Sequence, residues 1–199
     1  LPMQLNARDF SDGLPLQQWL EKSIFPTEMN LTKEYARIGA LASAAEMIKT
    51  GSTFACDMYH FPESIVSALN EAGLRGIICG PQTQWPPREG ADDGSVRKEL
   101  DGLLATNKPE NKVNYGVATH AIYTCDEDTL LGGKELAEKH DAYLSIHISE
   151  TRKEVADCFD KSGMYPIEYL DSLDYFIPER TICAHGSWVK KSEMRTMAA

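Results

Sequence analysis

The chain has 199 residues, 42% of them hydrophobic and 25% charged, an ordinary globular composition with enough length to bury a core. Thirty acidic against twenty basic residues leave a net charge of −10 and an isoelectric point near 5.0, the reverse of what a phosphate-binding surface requires, so neither nucleic acid nor an anionic membrane is an expected partner. No apolar run approaches bilayer-spanning length, and no charged-then-apolar leader opens the sequence.

Residue 1 is leucine, so the chain is expected either to begin after processing or to be a piece of something longer. A loop leads into a short helix expected at Leu16 to Ser23. A longer helix is expected over residues 30–51: Asn30 or Thr32 can cap it, Ile38, Leu41, Ala45 and Ile48 lie near helical spacing, and Gly51 ends it. From residue 52 the pattern alternates. Strands are expected at 52–59 (STFACDMY), 74–80 (LRGIICG), 112–120 (KVNYGVATH), 142–149 (AYLSIHIS) and 181–185 (TICAH). Helices are expected at 62–73, 95–105, 126–140 (weakened by Gly132 and Gly133), 151–163, 166–176 and from 190 onward. The helix at 151 carries a capping box, Thr151 to Glu154. A turn-rich loop over 81–94 is too long for a simple connection.

Strand–helix alternation argues for an α/β fold with a parallel sheet, and strands apolar on both faces suit a sheet covered on both sides. Two closures fit: an open doubly wound sheet, or part of a (β/α)8 barrel. No glycine-rich phosphate loop follows any strand, which weighs against the nucleotide-binding open sheet. The expectation is one incomplete barrel domain over 1–199, with a helical segment at 1–51 and five βα units at 52–199. Five cysteines, none in a CxxC pair and three inside apolar strands, fit buried free thiols in a reducing cytoplasm better than a disulfide framework or a cysteine-built zinc site.

Three of the five histidines, His120, His147 and His185, fall at the carboxyl ends of expected strands. Parallel α/β folds build their active sites there. One such histidine is more often a hydrogen-bonded core residue than a ligand. Three on neighbouring strands point to a site. His60 follows a strand into a loop and is read as solvated; His140 sits at a helix end, where it can face the negative pole. The stretch YLSIHISETRKE places Glu150 three residues after His147, in the loop ahead of the Thr151 cap. A neutral imidazole there suits a divalent metal, and a carboxylate beside it can deliver a proton.

The stretches GSTFACDMY, GLRGIICG, THAIYTCDED, SIHISETRKEV and TICAHGSWV, in that order, resemble the amidohydrolase superfamily. Within it the chain is most similar to the branch of methylthioadenosine/S-adenosylhomocysteine deaminases and related chlorohydrolases. The resemblance implies a partial (β/α)8 barrel corresponding to strands 2 to 6. It implies His147 as a metal ligand, Glu150 as the group that contacts substrate and shuttles protons, and His185 as a ligand or a partner of the attacking water. His120 would bind substrate. It further implies one divalent ion, zinc ahead of iron, and hydrolytic deamination of a purine-like or other N-heterocyclic small molecule by metal-activated water. The HxH pair of the family's first strand and the aspartate of its eighth are not within the chain. Two other readings stand beside this one. The chain alone is an inert truncated barrel that self-associates as a homo-oligomer through bare edge strands. Or it belongs to a different (β/α) enzyme whose histidines bind an anion.

Overall fold

The structure, a computed structural model, describes residues 13–82 and 93–198. A helical entry segment runs through α1 (Leu16–Trp19), a π-helical turn (Leu20–Ile24) and α2 (Phe25–Glu28), followed by α3 (Lys33–Lys49). Strands and helices then alternate: β1 (Phe54–Met58), α4 (Pro62–Ala72), β2 (Arg75–Pro81), α5 (Asp93–Leu104), β3 (Val113–Ala121), α6 (Glu127–Lys139), β4 (Leu144–Ile148), α7 (Arg152–Ser162), α8 (Pro166–Ser172), β5 (Thr181–His185) and α9 (Lys191–Thr196). The strands form one sheet in the order β1-β2-β3-β4-β5, and the β1–β2, β3–β4 and β4–β5 ladders are parallel. A doubly wound sheet reverses its order at a switch point; this one does not, which is the topology of a barrel segment.

The entry helix runs past the expected Ser23. Pro26 has no N–H to donate and would clash with the preceding turn of a regular helix. The wider π turn just ahead of it relieves that conflict. Most of the 81–94 loop lies outside the described residues. At its edges Pro81 still belongs to β2 and Asp93 already opens α5.

The chain divides into two compact units. The first, Leu1–Gly80 with Gln84–Tyr115, has a core drawn from Ala40 and Ala44 of α3, Ala55 of β1, Ile65 and Leu69 of α4 and Ile78 of β2. Thr32 is the cap of α3, accepting from Tyr35 N at 3.2 Å. The buried face of α3 is its small residues, Ala36, Gly39, Ala40, Ser43 and Ala44. Ile38 and Ile48, part of the helical spacing, are 48% and 51% exposed instead. Small side chains let a helix axis come close to its neighbour, and that contact decides the face. His60 also departs from expectation: it is buried, its ring 5.5 Å from that of Tyr59. All five cysteines are free, as expected, but Cys56 is exposed.

The second unit is Pro81–Thr83 with Gly116–Ala199. Its fully buried residues include Val117 of β3, Leu144, Ile146 and Ile148 of β4, and Ile167 and Leu170 of α8. Gly132 and Gly133, read as weakening α6, are buried within it. A Cβ on Gly133 would meet Thr119 Cγ2 at 2.3 Å. Thr119 cannot readily give way, because it is fully buried and its hydroxyl is hydrogen-bonded to that of Tyr175. Alanine here gains about 1 kcal/mol of helix propensity but incurs about 1–3 kcal/mol of overpacking. Gly133→Ala is therefore expected to lower the urea unfolding free energy by about 1–2 kcal/mol, and an unchanged or higher midpoint would show that packing is not its role.

Helix α8 stops four residues before the expected Phe176. Asp174 takes a left-handed φ of 53°, and Tyr175 N returns to Leu170 O at 3.0 Å, a stop of the Schellman kind. Lys134 Nζ holds the Asp174 carboxylate at 2.9 Å. Glu193 of α9 is fully buried, accepting from Ile167 N at 2.9 Å and from Lys190 N at 2.7 Å. It thus caps two helices with one carboxylate. Glu193→Ala leaves an amide buried without a partner, and a loss of about 2–4 kcal/mol in denaturant titration is expected. A change under about 0.5 kcal/mol would mean that water replaces the carboxylate freely.

Candidate active site

His120, His147 and His185 all lie in the second unit, at the carboxyl ends of β3, β4 and β5. On β4, Ile146 and Ile148 are buried, and His147 between them alternates to the other face. Its ring stands 5.1 Å from that of His120 and 5.0 Å from that of His185. Two local departures from regular strand geometry bring these rings together. The β3 register slips against β4 between Ala118 and Ala121, a bulge of the sort common beside active sites. His185 pairs with Ile148, so simple alternation would send it to the opposite face from His147. Its φ of 72° takes the chain out of the strand and turns the ring in. Such a backbone is strained for a non-glycine residue.

Glu150 completes the group. Its Oε1 lies 3.5 Å from His185 Nε2, and its Oε2 accepts from the Tyr123 hydroxyl at 3.2 Å. Tyr123 was not singled out in the sequence. Its signal was an aromatic hydroxyl in the loop after the β3 histidine, in HAIYTC. Burial first, then the Glu150 and Glu154 carboxylates, push its phenol far above the ordinary range, so it stays a neutral donor. Thr124 Oγ1 donates to Ala121 O at 3.1 Å and lies 2.7 Å from His120 Nδ1. Burial pushes the Cys125 and Cys183 thiols up to about 11, which leaves neither as a ready nucleophile.

The Thr151–Glu154 pair does more than cap α7. Thr151 Oγ1 accepts from Glu154 N at 3.1 Å, as expected. The Glu154 carboxylate interacts with the Thr151 backbone amide and is not confined to it. It reaches further back, each oxygen accepting at 2.8 Å, one from Ser149 N and the other from Glu150 N. Between them Ser149 adopts φ 50°. The turn is tied to β5 by Gly186 N to Ile148 O at 2.9 Å and Trp188 N to Ser149 O at 3.0 Å.

The donor set is suited to part of a metal site. His147 Nδ1 is buried with no hydrogen-bond partner among the described residues. Burial, and after it the neighbouring His185, pull this imidazole down to about 4, so its lone pair is available near neutral pH. Among the described residues no three His, Cys, Asp or Glu side chains come together as a full ligand set. His147 and His185 fit as two members of a divalent-ion site.

The chain matches the Amidohydrolase family over residues 1–199. It belongs to that family. Among curated amidohydrolase relatives, it is 35% identical over 192 residues to the 5-methylthioadenosine/S-adenosylhomocysteine deaminase of Thermodesulfovibrio yellowstonii, covering 96% of this chain and 44% of that protein. It is 36% identical over 195 residues to the 5′-deoxyadenosine deaminase of Methanosphaera stadtmanae, with the same two coverages of 96% and 44%. A zinc-bound adenosine deaminase from Xanthomonas campestris superposes with a TM-score of 0.90 at 27% identity, over 99% of this chain and 45% of that one. An Arthrobacter aurescens atrazine chlorohydrolase shares the fold at 18% identity, with a TM-score of 0.79 over 93% of this chain and 46% of that one. The chain thus spans less than half the length of these relatives.

Proposed function

We propose that the whole protein hydrolytically deaminates the purine-like ring of a small molecule, in the first instance a 5′-modified adenosine. One observation carries the reading: the Glu150 carboxylate stands between His185 Nε2 and the Tyr123 hydroxyl, in the same cluster as the partnerless Nδ1 of His147. The deaminase relatives support the substrate class, and the zinc-bound adenosine deaminase supports zinc as the ion. His147, with His185 beside it, would hold that ion, which when bound supplies Lewis acidity toward water. Water adds to the ring carbon and the exocyclic amino group departs as ammonia. Glu150 takes a proton from the attacking water, carries it to the ring nitrogen as charge develops there, then delivers it to the leaving amino group. His120 would contact the substrate, and the neutral Tyr123 hydroxyl keeps one Glu150 oxygen occupied so that the other faces the reaction.

The test is ammonia release from 5′-deoxyadenosine and 5′-methylthioadenosine by the whole protein, before and after chelation and after zinc is restored. Turnover that survives complete metal removal would sink the reading. The 199 residues alone are expected to behave differently. With two imidazoles where a zinc site takes three or four protein ligands, they should show weak metal affinity and no turnover. Strands β1 and β5 are outermost in the sheet order and hold no proline or lysine, so this chain by itself is expected to self-associate. Light scattering of the isolated chain checks the second point, and a clean monomer would count against it.

A further inference from the structure

We propose that Glu154 is the positioning residue for Glu150: its buried carboxylate clamps the two amides of the Ser149–Glu150 turn and so aims the Glu150 side chain. The inference rests on the deamination reading above. Glu154 is 2% exposed, and a carboxylate is seldom buried without partners that need it. Thr151 supplies the side-chain cap of α7, so capping alone does not account for both Glu154 oxygens. Each oxygen instead takes one amide of the turn at 2.8 Å, the short range of charge-assisted bonds. Those amides flank the Ser149 φ of 50°, a conformation that non-glycine residues adopt rarely and that a bonded neighbourhood must maintain.

The other end of Glu150 is held more loosely. The Tyr123 hydroxyl donates to Oε2 at 3.2 Å, longer than a strong O–H to carboxylate bond, and His185 Nε2 is 3.5 Å from Oε1. The backbone clamp is therefore the tighter of the two restraints. A rotation about the Ser149–Glu150 peptide would carry the carboxylate away from both partners. The sequence motif for Glu150 thus extends four residues further, to a glutamate that itself touches no substrate.

The test uses the whole protein with 5′-deoxyadenosine as substrate and Glu154→Gln as the main variant. A carboxamide accepts from one amide and turns its NH2 toward the other, donor against donor. The expected result is a kcat lower by about 10–100-fold, with KM within about threefold and zinc content unchanged, because misplacing a reacting group costs the chemical step and not uniform binding. Added to Glu150→Gln, Glu154→Gln should reduce kcat by less than about twofold more, since a residue that acts through another loses its effect once that other is gone. Amide exchange at Ser149 and Glu150 should quicken by about tenfold or more in Glu154→Gln. Glu154→Asp, one methylene short, should fall between the wild type and Glu154→Gln and supplies the same readouts if Glu154→Gln does not fold. An unchanged kcat, a full multiplicative loss in the double variant, or unchanged exchange at both amides overturns the proposal. A wild type with no turnover but with both amides protected through Glu154 shows instead that the deamination reading has failed.

Discussion

Glu150→Gln in the whole protein is expected to lower kcat by about 10²–10⁴-fold while metal content and thermal midpoint stay at wild-type values. The range is that of a general acid–base group moving a proton in the transition state. Glutamine keeps the length and planarity of glutamate. Its carbonyl oxygen still accepts from the Tyr123 hydroxyl, and its backbone N–H still donates to Glu154 Oε2, so the turn holds its shape. The lost property is the ability to take up and release a proton facing the ring. KM should move little, because a neutral amide can still contact the substrate edge. Measured kcat, KM and zinc stoichiometry decide the matter together. A raised KM with kcat intact would make Glu150 a binding group, and loss of zinc would make it a ligand.

Much of the architecture was legible because the apolar strands and helix punctuation are local signals. Gly51 at φ 86° and Gly163 at φ 73° end their helices where the sequence placed them. The geometry of the candidate site is less local. That His120, His147 and His185 would approach one another followed from strand ends in a parallel sheet. What turns His185 inward is a left-handed backbone that alternation does not foretell. Tyr123 was overlooked because its contact with Glu150 joins residues 27 apart in sequence, and nothing in IYTC marks the hydroxyl as more than a loop aromatic. Glu154 was seen only as part of a cap. The S/T-x-x-E pattern names a cap, and the pattern cannot register that the carboxylate reaches past the cap to a strained turn. The packing role of Gly133 was missed for a related reason. Helix propensity is intrinsic to the residue, whereas the 2.3 Å approach to Thr119 exists only once the strand is packed against the helix.

His147→Ala is expected to remove metal and activity together. Nδ1 is buried, lacks a hydrogen-bond partner among the described residues, and belongs to an imidazole kept neutral down to about pH 4. A buried polar atom without a partner is a net cost to the fold unless something absent from the polypeptide satisfies it. A bound divalent ion is the candidate that the neighbouring His185 and Glu150 allow. Loss of a partner that merely hydrogen-bonds a ligand typically weakens metal affinity about 10–100-fold, and loss of the ligand itself should exceed that. Stability gives an independent reading. An ion at 100 times its dissociation constant stabilises a protein by about 2.7 kcal/mol, so chelation should lower the wild-type thermal midpoint. In His147→Ala chelation should change nothing. The metal-free variant should be no less stable than the metal-free wild type beyond the cost of a small cavity, because the alanine buries no unsatisfied nitrogen. A folded His147→Ala protein that keeps one zinc per chain, and still loses stability on chelation, would remove His147 from the metal site.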